Sequence, residues 1–386
     1  MIFSPRWYQQ EGIDIAVSFF NNYTTYRNTL QIYPTGSGKS VIIANIAKGA
    51  HGKTLVLQPS KEILEQNVAK YRSYGFRAGI YSASAGQKYL DVVTFATIGS
   101  IAKKAHLFKD VKNIIIDECH LVNSDDGMYK QFFDRMPQAK ILGMTATPYR
   151  LSTGAEGAEL KFLTRTYPRV FTNVSYYVQT ETLFNEGHLA KLEYFSIKAY
   201  DRNLLTLNSS GTDFTEASIR EMQKKVNMSG LTVKYANWLL SKRKNLLVFC
   251  TLISEANKVA KGIPGSVVIT GETEGGERSR ILKDFKSGKI RCVINVGVLT
   301  TGFDYPELEA VLMARSTMSL ALYYQIIGRI MRPHKDKNSG WFVDLGGNIE
   351  LFGKIETMLI KEDRKGQLYI ANQGKQLTDV PFKKAA

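Results

Sequence analysis

The amino-acid sequence predicts an α/β protein built from two similar domains, each a parallel sheet flanked by helices. Short apolar runs alternate with helix-like segments through residues 1–150, which is the pattern of parallel strands joined by crossover helices. The same alternation returns at residue 230 and continues to 347. Between the two blocks, residues 151–229 break the alternation with glycines, a proline and polar residues.

Each predicted element rests on its own pattern. Apolar runs of five or six residues predict strands in the first block at 29–33, 54–58, 90–95, 113–117 and 140–144. The corresponding runs of the second block are 245–250, 266–270, 291–296, 309–315 and 341–345. Ile63, Leu64, Val68 and Tyr71 recur at helical spacing and predict a helix over 61–74.

The domain division follows from these elements. We expect a first domain over 1–150, a connector with a partly helical insert over 151–229, a second domain over 230–347, and a C-terminal helix and tail over 348–386. Within the connector, 181–187 and 215–227 have helical patterns. In the tail, a helix is predicted over 349–361, and the polar stretch 367–386 is expected to be loosely ordered.

Composition limits the classes of protein that the chain can be. Its 386 residues suffice for two domains, and 44% hydrophobic content is enough to bury a core. No run approaches the roughly 18 apolar residues of a membrane span, and the N-terminus has no secretory pattern. Cys119, Cys250 and Cys292 fall in apolar runs without metal-ligand spacing, which predicts reduced, buried thiols in a cytoplasmic protein.

The net charge of +16 is compatible with two interpretations. A surplus of lysine and arginine favours a polyanionic partner, because neutralised phosphates release counterions. Alternatively, the surplus serves solubility alone.

A glycine-rich loop predicts a phosphate site. Residues 33–40, Tyr-Pro-Thr-Gly-Ser-Gly-Lys-Ser, follow a predicted strand and precede a helical run. Gly36 and Gly38 would let backbone N–H groups point at the phosphates, next to the positive end of the helix dipole. Lys39 would then reach the β- and γ-phosphates, and the Ser40 hydroxyl would bind Mg²⁺. Tyr33 stands where the general pattern has its first glycine.

An acidic tetrad completes the predicted nucleotide site. The strand 113–117 ends in Asp117, followed by Glu118, Cys119 and His120. An acidic residue at the carboxyl end of a strand, downstream of a phosphate loop, is where a second Mg²⁺ contact belongs. Glu118 can orient the attacking water. Together with the loop, the tetrad predicts an ATPase.

Further motifs, in order along nearly the whole chain, resemble those of superfamily 2 helicases of the DExH type. The resemblance implies two RecA-like domains. It is carried by residues 6–10 (an adenine-reading element), 58–62 (motif Ia), 94–97 (Ib), 145–148 (III), 247–250 (IV), 295–304 (V) and 325–332 (VI). Residues 6–10, 117–120, 295–304 and 344–348 are most similar to RadD-like bacterial and phage DNA helicases, and more distantly to UvsW-like proteins. RadD-like proteins add a zinc-binding C-terminal region, which this sequence lacks.

The resemblance implies ATP and Mg²⁺ as cofactors and assigns residues to four roles. Catalysis would depend on Lys39, Asp117, Glu118, Gln325, Arg329 and Arg332. The nucleotide would be bound by Arg6, Gln9, Pro34, Thr35, Gly36, Ser37, Gly38, Lys39, Ser40, Gly302 and Asp304, with Mg²⁺ on Ser40 and Asp117. His120, Thr145 and Thr147 would couple ATP state to strand binding. Nucleic acid would contact Pro59, Ser60, Lys61, Thr94, Thr97, Thr270, Gly271 and Thr300.

The expected activity is ATP-dependent translocation along a nucleic acid, with Arg329 and Arg332 reaching the γ-phosphate from one face of a helix. The RadD-like resemblance favours DNA, with little sequence preference. The alternatives are an RNA helicase, the motor of a restriction system, and a non-catalytic strand-binding protein. We expect a monomer in the cytoplasm of a bacterium or phage-infected cell, with no membrane contact and with a single-strand-binding or recombination protein as partner.

Overall fold

A computed structural model describes residues 4–123, 125–154, 157–199, 201–209, 211–300 and 302–381. The chain forms two compact units. The first comprises Met1–Arg150 with Lys161–Gln179, and the second comprises Leu151–Leu160 with Thr180–Ala386.

The first unit is an eight-stranded sheet flanked by helices. Its helices are α1 (Trp7–Asn21), α2 (Lys39–Gly49), α3 (Lys61–Ser73), α4 (Ile98–Ile101) and α5 (Met128–Phe133). Its first seven strands are β1 (Asn28–Ile32), β2 (Lys53–Gln58), β3 (Gly79–Ser82), β4 (Gln87–Tyr89), β5 (Val93–Thr97), β6 (Val111–Asp117) and β7 (Lys140–Thr145). Strand β10 (Asn173–Tyr177) also joins this sheet. Strands β8 (Tyr149–Gly154) and β9 (Gly157–Phe162) pair with each other in a separate two-stranded sheet, and most of their residues belong to the second unit.

The strand order of this sheet is β10-β1-β7-β6-β2-β5-β3-β4, and every neighbouring pair except β3–β4 is parallel. Buried side chains such as Leu30, Leu55 and Ile114 form the core on which α5 packs. Because β1, β6 and β7 are neighbours and parallel, the loops that follow their carboxyl ends lie at one edge of the sheet. That edge carries the phosphate loop and the acidic tetrad.

The second unit contains a six-stranded parallel sheet and a small antiparallel sheet. Its helices are α6 (Thr180–Asn185), α7 (Glu216–Lys225), α8 (Met228–Lys242), α9 (Ile253–Lys261), α10 (Gly275–Lys286), α11 (Leu320–Gly328) and α12 (Asn348–Phe352). The parallel sheet has the order β11 (Leu192–Ser196), β16 (Gly340–Asp344), β15 (Ala310–Ala314), β12 (Leu246–Cys250), β14 (Cys292–Asn295) and β13 (Val267–Ile269). The antiparallel sheet is β17 (Met358–Glu362), β18 (Leu368–Asn372) and β19 (Lys375–Gln376).

The predicted fold class is confirmed, since both units contain parallel sheets flanked by helices. The division along the chain differs from the prediction within 151–229. Here β10 is an edge strand of the first sheet, with Asn173 beside Thr29, and β11 is an edge strand of the second, with Leu192 beside Gly340. Both edge strands are only partly buried, so they lack the apolar runs that identified the other strands.

The predicted helix over 349–361 is wrong beyond Phe352. Gly353 follows α12 with a φ of 76°, a conformation that glycine adopts at little cost and that ends the helix. The chain then forms β17, and much of the tail expected to be loosely ordered forms β18 and β19. Residues 382–386 of that tail lie outside the described residues.

The three cysteines are buried and unpaired, as predicted, and burial raises the pKa of each thiol. In the part of the chain that the structure describes, no helix has both the length and the apolar character needed to span a bilayer.

Candidate active site

The phosphate loop lies between β1 and α2 and has the backbone that its glycines require. Gly36 and Gly38 have φ angles of 87° and 84°, and Gly38 immediately precedes α2. The φ of Gly38 favours glycine, and a Cβ there would also lie 2.6 Å from Nε2 of Gln9, which would have to shift. Lys39 is the first residue of the helix, where free N–H groups and the helix dipole favour an anion.

The N-terminal helix α1 holds this loop through two side chains. The Tyr8 hydroxyl and the Gln9 amide both donate to the Ser37 carbonyl, at 2.8 and 2.7 Å. The Gln9 carbonyl oxygen accepts from the backbone N–H of Arg6 at 2.9 Å. The predicted adenine-reading residue is therefore buried and bonded to the phosphate loop itself. The part played by Tyr8 was not anticipated from the sequence.

Asp117 ends β6 in a fixed orientation. Its Oδ2 accepts from Nδ2 of Asn67 at 2.9 Å, and its Oδ1 accepts from the backbone N–H of Glu118 at 3.0 Å. Burial, reinforced by the negative charge of Glu118, raises the pKa of Asp117 to about 6, while Lys39 and Asn67 act in the opposite direction. A cation at this site would lower the pKa of Asp117 again, because it favours the carboxylate form.

A chain of polar contacts runs from the phosphate loop to the end of β7. Lys39 Nζ lies 3.3 Å from Glu118 Oε1, and Glu118 Oε2 lies 3.4 Å from His120 Nδ1. The same ring nitrogen lies 2.9 Å from the Thr145 hydroxyl, which accepts from the Thr147 N–H at 3.0 Å. Burial lowers the pKa of His120, so the imidazole is neutral near pH 7. The predicted catalytic and coupling residues of the first unit thus form one connected group.

The oxygen ligands present suit Mg²⁺. Ser40 offers a hydroxyl and Asp117 a carboxylate, which are the hard donors that Mg²⁺ prefers, and it commonly takes only one or two carboxylates besides phosphates and water. Over the described ranges, no cluster of three or more His, Cys, Asp or Glu side chains suggests a metal held by protein alone.

In the second unit, the two arginines of motif VI do not share a helical face as predicted. Helix α11 ends at Gly328, so Arg332 lies beyond the helix. Arg332 precedes Pro333, and a residue before proline is disfavoured in the helical conformation. The spacing of three residues between Arg329 and Arg332 therefore does not place their side chains on one face of a helix.

Both arginines contact the segment that contains motif V. The Arg329 guanidinium donates to the carbonyls of Phe303, at 2.5 Å, and Thr300. Arg332 forms an ion pair with Asp304, and burial lowers the pKa of Arg332 to about 10. Thr301 of the same motif lies outside the described residues. Gly302 has a φ of 72°, and Gln325 is half-buried on α11.

The residues predicted to contact nucleic acid in the first unit fall into two groups. Pro59, Ser60, Lys61 and Thr97 lie at the carboxyl ends of β2 and β5. Thr94 does not: its side chain is buried near the start of β5, and its hydroxyl bonds the backbone N–H and carbonyl of Asp91. The prediction for Thr94 is therefore wrong, because a side chain two or three residues earlier in a strand lies away from its carboxyl end.

In the second unit, Thr270 and Gly271 follow β13. The Thr270 hydroxyl accepts from the Glu272 N–H at 3.1 Å, which shapes the turn, and Gly271 is exposed. Thr300 contributes its carbonyl to Arg329.

Comparison with known families agrees with this arrangement. Residues 2–150 match the family described as "Type III restriction enzyme, res subunit", and residues 231–334 match "Helicase conserved C-terminal domain". The first match falls in the first unit and the second match in the second unit.

Proteins similar to this chain occur in phages and in cellular organisms. The chain is 27% identical over 364 residues to a "51.5 kDa protein" of a Lactococcus phage (isolate 7-9), covering 90% of this chain and 73% of that protein. It is 23% identical over 361 residues to "ATP-dependent DNA helicase uvsW" of Enterobacteria phage T4, covering 88% and 68%. Against three other curated relatives, the chain spans only 51% to 57% of their length.

Two solved structures share the fold. One is "ATP-dependent Type ISP restriction-modification enzyme LlaBIII bound to DNA", with a TM-score of 0.64 and 17% identity, covering 88% of this chain and 27% of that one. The other is "S. cerevisiae Dbp5 bound to RNA and ADP BeF3", with a TM-score of 0.57 and 15% identity, covering 88% and 83%.

Proposed function

We propose that this chain is a nucleic-acid-stimulated ATPase that translocates along DNA. The observation that carries the proposal is the connected group of Lys39, Glu118, His120 and Thr145 beside the phosphate loop. A phosphate loop with a lysine and two acidic residues at the neighbouring strand end is the equipment for hydrolysing a nucleoside triphosphate.

Each residue of the first unit then has a chemical task. The backbone N–H groups of residues 35–40 and the Lys39 ammonium bind the phosphates. Ser40 and Asp117 hold Mg²⁺, which neutralises charge on the β- and γ-phosphates. Glu118 orients the attacking water and accepts its proton. Arg6 and Gln9 contact the adenine.

Coupling to the nucleic acid is proposed to follow the chain of contacts from Glu118 through His120 to Thr145 and Thr147. A change at the γ-phosphate alters Glu118, and the hydrogen bond between His120 and Thr145 carries that change to the end of β7. Arg329 and Arg332 are proposed to stabilise the charge that develops on the γ-phosphate, with Gln325 beside them on α11. Gly302 and Asp304 contribute to nucleotide binding.

DNA is the favoured strand because the relative from phage T4 is named a DNA helicase. The solved structures that share the fold do not separate DNA from RNA, since one was solved with DNA and the other with RNA. The surplus of positive charge suits phosphate contacts with little sequence preference on either nucleic acid. We further propose a RadD-like role in DNA repair, recombination or fork processing, in a monomer that meets a single-strand-binding or recombination protein.

A second candidate is the motor of a restriction system. It is favoured by the match of residues 2–150 to a restriction-enzyme subunit and by the fold shared with the type ISP enzyme. That function would require a nuclease outside this chain or in a longer protein.

The test compares ATP hydrolysis by the chain alone and with single-stranded DNA, duplex DNA, forked DNA or RNA of matched length. We expect stimulation by DNA, greatest with single-stranded or forked substrates. Equal stimulation by RNA would refute the preference for DNA. Hydrolysis that ignores every nucleic acid would refute translocation, and an absence of hydrolysis under all conditions would favour a strand-binding protein.

A further inference from the structure

Asn67 contacts the proposed Mg²⁺ ligand although no motif includes it. It lies on α3 with only 1% of its surface exposed, and its Nδ2 donates to Asp117 Oδ2 at 2.9 Å. With the Glu118 N–H on the other oxygen, both oxygens of Asp117 accept a hydrogen bond. The carboxylate therefore cannot rotate without breaking one of them.

The other end of the Asn67 amide is unusual. Its Oδ1 is buried and accepts no hydrogen bond from the described residues. Leaving a buried acceptor unpaired costs about 1–3 kcal/mol, so such an atom calls for an explanation. Mg²⁺ bound in proteins usually retains several water molecules, and a water on a metal held by Asp117 would be a suitable donor for this oxygen.

Helix α3 also connects Asn67 to the predicted nucleic-acid contacts. The helix begins at Lys61, and the Ser60 hydroxyl caps it by accepting from the Ile63 N–H at 3.4 Å. Asn67 lies seven residues after Ser60, which corresponds to about 10 Å along a helix axis. A displacement of the loop 59–61 would reach Asn67 through two turns of hydrogen-bonded helix.

We propose that Asn67 is a positioning residue that orients Asp117 for Mg²⁺ and links the nucleic-acid contacts of α3 to the metal. The proposal deepens the function proposed above and rests on it. It also proposes that a bound strand stimulates ATP hydrolysis through α3, within the first unit and separately from the contacts of His120 and Thr145.

The test replaces the amide with an apolar side chain of similar size, Asn67→Leu. The matched control is Asn113→Leu, which removes the amide of another buried asparagine of the first unit, with 2% exposure. Asn113 lies on β6 near the opposite end from Asp117, and its Nδ2 donates to the His51 carbonyl at 2.9 Å. Any general cost of losing a buried asparagine is therefore common to both variants.

The primary measurement is equilibrium binding of a fluorescent ATP analogue to the intact chain as Mg²⁺ is titrated, which needs no turnover. Removing the hydrogen-bond partner of a metal ligand typically weakens metal binding by about 10- to 100-fold. We expect the half-saturating Mg²⁺ concentration of Asn67→Leu to rise at least about tenfold. It should stay unchanged in Asn113→Leu, and binding of the analogue in EDTA should be the same in all three proteins.

A second measurement tests the link through α3. At saturating Mg²⁺, Asn67→Leu should lose most of its stimulation by DNA while its DNA affinity stays at the wild-type value. Asn67→Ser, which retains a short donor, should lie between Asn67→Leu and the wild type in both assays, and it replaces Asn67→Leu if that variant fails to fold. Normal stimulation in a variant with weakened Mg²⁺ binding would overturn the link.

The outcomes separate the two proposals. An unchanged Mg²⁺ titration in Asn67→Leu would overturn the role of Asn67, whatever the chain does with DNA. If Asn67→Leu needs more Mg²⁺ than the wild type, but no nucleic acid stimulates hydrolysis by the wild type, Asn67 remains a metal-positioning residue and translocation is refuted. A wild-type chain whose nucleotide binding ignores Mg²⁺ would overturn the role of Asn67 as well.

Discussion

Glu118 has a backbone conformation that residues with side chains rarely adopt. Its φ and ψ of 52° and 47° lie in the left-handed region, where a residue other than glycine is strained by about 1–3 kcal/mol. The strain is offset locally, because its N–H bonds Asp117 and its carboxylate lies between Lys39 and His120. This backbone conformation directs the Asp117 carboxylate toward the proposed Mg²⁺ site and the Glu118 carboxylate toward Lys39 and His120.

Replacing Lys39 tests the residue on which phosphate binding depends most. Lys39→Ala removes the ammonium that faces Glu118 and would bind the phosphates, so we expect DNA-stimulated hydrolysis to fall by about 10²- to 10³-fold. DNA binding should persist, because the strand contacts are elsewhere. The measurements are steady-state hydrolysis and fluorescence anisotropy with labelled single-stranded DNA.

Lys53→Ala is the control for this variant. Lys53 begins β2 and pairs with Asp110 at the surface, at the opposite edge of the same sheet from the phosphate loop. It should hydrolyse ATP at the wild-type rate. Retained activity in Lys39→Ala would contradict the assignment of the phosphate loop.

Arg332 distinguishes chemistry from nucleotide binding. In Arg332→Ala we expect turnover to fall by about 10³-fold or more, the size of effect that arginines opposite a transferring phosphoryl group produce. Binding of a fluorescent ATP analogue should change little. Arg364→Ala, which removes an exposed arginine of the second unit, should behave as wild type. A normal rate in Arg332→Ala would show that the ion pair with Asp304 serves the fold alone.

Helices α7 and α9 are joined by a buried carboxyl group. Glu255, 3% exposed in the first turn of α9, accepts a hydrogen bond from Gln223 of α7 at 2.6 Å. Burial raises the pKa of Glu255 from 4.5 to about 7. Between these pH values the folded chain keeps a proton on Glu255 that the unfolded chain has released. The resulting stabilisation of the folded chain is complete below pH 4.5 and is lost as pH rises through 7.

Glu255→Gln should remove this part of the pH dependence. The full shift corresponds to about 3 kcal/mol, part of which is already lost at pH 5. The wild type should therefore lose about 2–3 kcal/mol more stability than Glu255→Gln between pH 5 and pH 8.5. Urea denaturation across this range measures the difference. Glu221→Gln, an exposed change on α7, should follow the wild type. Parallel curves for the wild type and Glu255→Gln would mean that the carboxyl group stays ionised throughout.

Elements differ in how far the sequence could predict them. Strand β15 is apolar at every position and β6 contains three consecutive isoleucines, because parallel strands are covered on both faces. This pattern is visible without tertiary contacts. Strand β17 has the sequence Met-Leu-Ile-Lys-Glu, whose charged end also suits a helix, and only its pairing with β18 makes it a strand. Edge strand β10 depends in the same way on a partner about 140 residues earlier.

The charge of the whole molecule predicts how it should respond to salt. With a net charge of +16 and contacts mainly to phosphates, binding should release counterions from the strand. If about five phosphates of a single strand are neutralised, log affinity should fall with log salt concentration at a slope near −3.5. Titrations of labelled DNA between about 50 and 200 mM salt measure it. A flat response would show that the positive charge serves solubility only.

Across the whole molecule, the sequence predicted the fold and one half of the candidate site well. The phosphate loop and the acidic tetrad are contiguous in sequence, and parallel topology brings the ends of β1 and β6 together. The role of Asn67 could not be predicted, because a single asparagine within an amphipathic helix resembles any polar position. The predicted helical face of Arg329 and Arg332 is wrong, because α11 ends at Gly328 and Arg332 precedes Pro333.

The contact between Gln9 and the phosphate loop has a consequence for nucleobase selectivity. The Gln9 amide donates to the Ser37 carbonyl, would lie 2.6 Å from a Cβ on Gly38, and is the proposed reader of the base. A base that Gln9 cannot match would disturb the loop that holds the triphosphate. Discrimination against guanine would then extend to catalysis: a wrong nucleotide would bind and yet be poorly aligned for hydrolysis.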